Sequence, residues 1–141
     1  MTVERSRVEG LYETINRAWN ETPEAFAELL REHADPDIEL VAPAEYIDIG
    51  ELRGYEGIER WVSNAARVFE SWHYDLEDVL DAGEDRVVAL VRLRVRGGAS
   101  GAEMEFPAAH HLEFRGGRVL RLVVYRDRAE GIAAAGLTGD E

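Results

Sequence analysis

Two adjacent glycines constrain this chain more than any other feature. Gly116-Gly117 separates two runs with strand-like alternation, Glu103–Arg115 and Arg118–Asp127. A two-residue glycine loop is the kind that closes a type I′ β-hairpin. Pairing Arg115 with Arg118 puts Phe114 opposite Val119, Leu112 opposite Arg121, His110 opposite Val123 and Ala108 opposite Tyr125. Directly opposed residues share a face. One mostly apolar face therefore gathers His110, Leu112, Val123 and Tyr125, with Arg121 among them. The other takes His111 and Glu113 but also Leu120, Leu122 and Val124. An imidazole in the middle of the more apolar face is the first candidate for chemistry.

Upstream, Val8, Leu11, Tyr12, Ile15 and Trp19 recur at helical spacing, which predicts an amphipathic helix over residues 4–20. Thr22 as N-cap and Pro23 at the first helical position open a second helix. Ala34-Asp35-Pro36-Asp37 ends it, since a residue before proline avoids the helical region. Ile38–Ala42 reads as a short strand, and Pro43–Arg53 as a loop whose Tyr46, Ile47 and Ile49 fold over something. Gly54–Glu70 is the clearest helix, with Ile58, Trp61 and Val62 on its apolar side. From Trp72 the period becomes two, giving strands Trp72–Asp81 and Arg86–Arg96 before the hairpin. On the second of these, Val87, Ala89, Val91 and Leu93 alternate with Val88, Leu90, Arg92 and Arg94. Asp127-Arg-Ala-Glu130 fits a capping box opening a last short helix that Gly136 ends, with a frayed tail at 138–141. Helices followed by a run of antiparallel strands indicate an α+β class.

The 141 residues fit one domain, 1–141, large enough for a core. There is no cysteine, so disulfides, thiolate metal sites and a cysteine nucleophile are excluded. The formal charge of −13, with every Lys/Arg position an arginine, repels nucleic-acid phosphates and anionic lipid. Neither a signal-peptide core nor a run of about 18 apolar residues is present. The expectation is a soluble cytoplasmic protein without nucleic-acid or membrane partners.

The order of elements and the local wording together resemble the SnoaL-like branch of the NTF2-like superfamily, which includes polyketide cyclases and ketosteroid isomerases. The resemblance is carried by Leu52-Arg-Gly-Tyr-Glu-Gly-Ile-Glu-Arg-Trp61, Gly98–Glu105, Ala109–Val119 and Arg121–Arg128, with Ala135-Gly136-Leu137. It spans nearly the whole chain. It implies a cone-like fold in which a strongly bent antiparallel sheet wraps around a long helix and encloses a pocket. The isomerases hold a general-base Asp just before a proline at the end of the first strand, where this chain has Ala42 ahead of Pro43. Their oxyanion-hole acid lies in the strand where this chain has His110.

His110, Tyr125 and Asp127 are the catalytic candidates: an imidazole able to give or take a proton, a phenol on the same face, and a carboxylate of the same parity at the rim. Tyr12, Trp19, Tyr46, Trp61, Leu112 and Val123 are candidates for an apolar substrate-binding wall. Glu45 and Asp48 are alternative bases, while His33 and His73 read as surface or edge residues. No metal is expected, because His110 and His111 point to opposite faces, and no cofactor is expected. Three functions follow. The first is acid/base catalysis, isomerase- or cyclase-like, on an apolar carbonyl-bearing or polycyclic molecule with His110 central. The second is non-catalytic binding of a small hydrophobic ligand, and the third an interaction module with a self-filled cone. The apolar residues opposite His110 call for cover, which predicts a homodimer through the outer sheet face, as related proteins commonly form.

Overall fold

A computed structural model describes residues 5–19, 28, 31–41, 51–97 and 101–136. In chain order these form α1 (Arg5–Trp19), β1 (Ala34–Val41), β2 (Glu51–Arg53), α2 (Gly54–Val68) and β3 (Phe69–Asp81). They continue as β4 (Arg86–Gly97), β5 (Glu103–Arg115), β6 (Arg118–Tyr125) and α3 (Arg128–Ala134). The six strands make one open sheet in the order β2-β1-β6-β5-β4-β3. The class is α+β, but the sheet is mixed: β1 runs parallel to β6, and the other neighbours are antiparallel. The expected antiparallel sheet holds for every pair but this one. Everything from β2 to β5 lies between β1 and β6 in sequence, enough chain for the crossover that a parallel pair needs.

Three boundaries also move. β1 begins at Ala34, not Ile38, because the residue before Pro36 is held extended. Its Asp35 carboxylate accepts the Asp37 amide at 2.9 Å and two hydrogen bonds from the Arg115 guanidinium, at 2.9 and 2.6 Å. Glu51–Arg53, read as loop, pairs with β1. The helix from Gly54 stops at Val68, and β3 takes over at Phe69.

The hairpin loop is as its glycines require: Gly116 and Gly117 have φ of 60° and 84°, the left-handed values a type I′ turn needs at both positions. The register then departs from the sequence reading. Arg115 pairs with Arg118 and Phe114 with Val119, but Glu113 pairs with Arg121, so Leu120 is an extra residue in β6. Such a bulge reverses the side-chain parity of everything beyond it. Leu122 now stands opposite Leu112 and Val124 opposite His110, whereas Val123 pairs with His111 and Tyr125 with Ala109.

The corrected register organises both faces. On the inner face a row of apolar side chains crosses five strands: Val87, Leu112, Leu122, Leu40 and Leu52. Four of the five are buried, with Leu122 packed beside them; burying each such side chain stabilises the fold by about 1.5–3 kcal/mol. One step along, the outer face carries Arg86, Glu113, Arg121, Glu39 and Arg53 in register, a row of alternating charge. α1 and α2 pack on the inner side, where Val8, Leu11, Tyr12 and Ile58 join the core. α3 covers part of the outer side. A Cβ built on buried Gly131 would lie 2.7 Å from Ala109 Cβ and 3.1 Å from Tyr125 Cβ, so glycine is what lets this helix sit down on the sheet.

Candidate functional site

A cavity of about 60 Å³ lies between α1, β1, α2 and the inner face of the sheet. Its wall is mostly aliphatic, with Leu11, Ile38, Leu112 and Leu122 among its residues, and its polar side chains are Tyr12, Tyr74, His33, His110 and the indole of Trp61. The space suffices for a few water molecules and falls well short of the roughly 300 Å³ at which drug-sized pockets begin.

His110 is the polar centre. It is 2 % exposed, and its Nδ1 stands 2.6 Å from the Tyr12 hydroxyl. The two rings stack at 5.8 Å, and Tyr74 meets both edge-on, its centroid 5.3 Å from His110 and 5.6 Å from Tyr12. Burial pushes the imidazole down to about 4. Burial, and then the neighbouring Tyr74, raises the Tyr12 hydroxyl well above its ordinary value. Both partners are therefore neutral near pH 7.

The direction of this hydrogen bond follows from counting donors. If Tyr12 donates to Nδ1, the remaining imidazole proton lies on Nε2, at the cavity. If Nδ1–H donates instead, the tyrosine proton must find a second acceptor and Nε2 a donor, two requirements in place of the one that Nε2–H makes. An unmet buried group costs about 1–3 kcal/mol. The first arrangement asks less of its surroundings, and it gives a neutral Nε2–H on a ring that lines a mostly apolar space. That is a hydrogen-bond donor for an acceptor oxygen, and at this pKa a poor base.

The structure divides the sequence candidates. His110, Tyr12, Trp61 and Leu112 line the cavity. Tyr125 and Val123 do not share their face, because the bulge at Leu120 turns both to the outer side with His111. Arg121 turns with them and points outward, its Nε 3.6 Å from Glu39. Asp127 is exposed and occupied as the N-cap of α3, accepting the amides of Ala129 at 2.9 Å and Glu130 at 3.2 Å. It is no partner of His110. Tyr46, Glu45, Asp48, Ala42 and the side chain of Trp19 lie outside the described residues.

His33 is the residue that sequence reasoning missed. Half-buried at the end of the helical turn 31–33, it lines the same cavity as His110. The Tyr55 hydroxyl holds that turn onto α2, donating to Ala34 O at 3.0 Å and Arg31 O at 3.3 Å, and Arg31 pairs with Glu59. No local periodicity marks His33 as inward; only the docking of the turn does. Among the described residues no three His, Asp or Glu side chains gather as a metal site, and no helix is long and apolar enough to cross a membrane.

Comparison with known proteins agrees with this architecture. The SnoaL-like domain matches residues 8–122. This chain belongs to the SnoaL-like family. Solved structures of the same NTF2-like fold include TerC co-crystallized with polyporic acid, 18% identical with a TM-score of 0.69 over 93% of this chain and 96% of that one. A hypothetical protein with a ketosteroid isomerase-like fold from Catenulispora acidiphila DSM 44928, in complex with trimethylamine, is 18% identical with a TM-score of 0.70 over 99% and 98%. A putative SnoaL-like polyketide cyclase from Jannaschia Sp. CCS1 is also 18% identical, with a TM-score of 0.69 over 94% and 93%. No curated protein matches the sequence.

Proposed function

We propose that this SnoaL-like chain handles a compact, uncharged, carbonyl-bearing molecule whose oxygen accepts a hydrogen bond from His110 Nε2. The observation that carries this reading is the 2.6 Å contact between Tyr12 and His110 Nδ1 inside a mostly apolar cavity. A neutral donor aimed into a water-poor space stabilises charge that develops on a carbonyl oxygen. The group asked to stabilise it is thus an electrophile and not the base. A proton leaving the carbon beside that carbonyl would go to His33, the other imidazole on the wall, while the electron pair moves onto the oxygen held by His110. The cavity of about 60 Å³, room for a few water molecules, favours a ketone of a few heavy atoms over a polycyclic substrate. Small molecules in two neighbours of this fold, polyporic acid and trimethylamine, support a ligand site in general.

Acetone is a direct probe, with binding read in H₂O and exchange read in D₂O. The expected result is a shift of the His110 Nε2–H resonance on binding in H₂O, and deuterium entering the carbon beside the carbonyl in D₂O. His33→Gln then lowers the exchange rate by about 10² or more, the usual weight of a general base, and leaves binding in place. Binding without exchange selects the second reading, a non-catalytic binder, which the lack of any carboxylate among the described lining residues favours. Neither binding nor exchange overturns the proposal.

A homodimer through the outer face is proposed on narrower grounds than the sequence offered. Leu122 and Val124 turn inward, and α3 packs over Ala109 and Tyr125. What is left for a partner is the strip of Val123 and His111 beside the alternating charge row. A compact monomer by sedimentation at micromolar concentration defeats it.

A further inference from the structure

We infer that Asn16 is a positioning residue: by locking α1 to the edge of the sheet, it holds the Tyr12 hydroxyl on His110 and so decides which ring nitrogen carries the proton. The inference rests on the hydrogen-donor reading of His110 given above and adds to it the element that sets the geometry.

Tyr12 and Asn16 are four residues apart on α1 and so project from the same face. Asn16 Nδ2 donates to Tyr74 O at 2.7 Å, and the Tyr74 amide donates to Asn16 Oδ1 at 2.8 Å. Among the described residues β3 is an edge strand, paired with β4 alone. The side-chain amide thus satisfies main-chain groups on the side where a further strand would otherwise bond. The residue whose backbone it grips is the one whose ring packs edge-on against both Tyr12 and His110. Tyr12, Tyr74 and His110 come from α1, β3 and β5, and β4 ties β3 to β5. The link still required is α1 to β3, and Asn16 makes it with two directional bonds.

Apolar packing of Val8 and Leu11 does not fix the helix along its axis as firmly, because dispersion contacts are non-directional. A second polar tie from α1 to β3, Arg5 to Asp78 at 3.1 Å, is exposed. A slide of one residue along the axis is about 1.5 Å. Directed along the 2.6 Å contact, that movement takes the Tyr12 hydroxyl out of hydrogen-bond range of Nδ1; directed across it, it bends the bond away from linear. The blander role, sealing a strand edge, predicts lost stability and an unchanged imidazole.

Long-range ¹H–¹⁵N imidazole spectra of the full chain separate the two. In the unaltered protein His110 is expected as the Nε2–H form. Tyr12→Phe removes the donor and raises the Nδ1–H fraction about fivefold or more, the factor attached to one hydrogen bond. Asn16→Ala is expected to do the same although Tyr12 is present. Asn16→Asp, which can still accept the Tyr74 amide but cannot donate to its carbonyl, falls between; it decides the matter if Asn16→Ala does not fold. A lower melting temperature with the His110 tautomer unchanged in the Asn16 variants overturns the assignment while leaving the donor reading intact. If Tyr12→Phe also leaves the tautomer unchanged, the donor reading falls and the assignment with it.

Discussion

His110 and His111 are adjacent in the chain and lie in different solvents. His110, on the inner face, touches two tyrosine rings and an aliphatic wall, and burial alone holds its imidazole down to about 4. His111, half-buried on the outer face, is lowered too. Burial is again the first cause, but Arg86 and Arg121 add to it and Glu113 opposes them. One face controls its histidine by excluding water and supplying one hydrogen bond. The other sets its histidine in a row of alternating charges. A strand reverses face at each residue, so one step along β5 exchanges the first environment for the second. The inner face can hold a proton in a defined place; the outer face averages charges and exchanges with solvent.

Truncation is the strongest way to test that contrast. Leu112→Ala, at a side chain 2 % exposed in the middle of the inner row, should cost about 2–5 kcal/mol in urea unfolding. Val123→Ala, one strand away on the outer face, should cost less than about 1.5 kcal/mol. Comparable losses at the two positions would mean that Val123 points inward and that the bulge at Leu120 is absent.

The second test is pH. His110 has a folded value of about 4 against the usual 6.5, so between those limits the unfolded chain binds a proton that the folded chain does not. Stability from this group is complete above about pH 6.5 and declines as the pH falls towards 4, by roughly 3 kcal/mol at most. His110→Gln should flatten that part of the stability curve. His111→Gln should change it less, since His111 keeps part of its hydration. A curve unaltered by His110→Gln would mean that the imidazole is hydrated, and the two faces would then differ less than the structure shows.

Much of this was legible in the chain. Gly116-Gly117 fixed the hairpin because only glycine accepts two consecutive left-handed residues cheaply, and the alternation of β4 put Val87, Ala89 and Val91 on one face, the face that lies in the core. Asp127 and Glu130 announced the cap of α3. The bulge was not legible. Val119-Leu120-Arg121-Leu122-Val123-Val124 alternates in neither parity, so local pattern carries no register, and pairing with β1 supplies it: Leu40 stands beside Leu122 and Glu39 beside Arg121. That long-range choice removed Tyr125 and Val123 from the site and brought Leu122 in. Tyr12 was recognised as part of a wall, but its bond to His110 joins residues 98 apart in sequence. His33 was lost for a related reason, since its direction depends on how α2 grips the turn before β1.

The smallest effect concerns how the outer face is covered. A methyl at residue 131 would approach Ala109 Cβ to 2.7 Å and the Tyr125 ring to 3.2 Å, closer than such atoms pack, and both belong to a sheet that yields little. Gly131→Ala should therefore lift α3 at a cost of about 1–3 kcal/mol, partly offset by the helix propensity gained. Hydrogen exchange at the amides of Ala109 and Tyr125 should quicken, while the tautomer of His110 stays as it is, because the disturbance lies across the sheet. Adding Ala109→Gly removes the methyl that is met most closely, and the double variant should recover part of the loss, a coupling expected only between groups in contact. Strictly additive losses would show that α3 does not rest on Ala109.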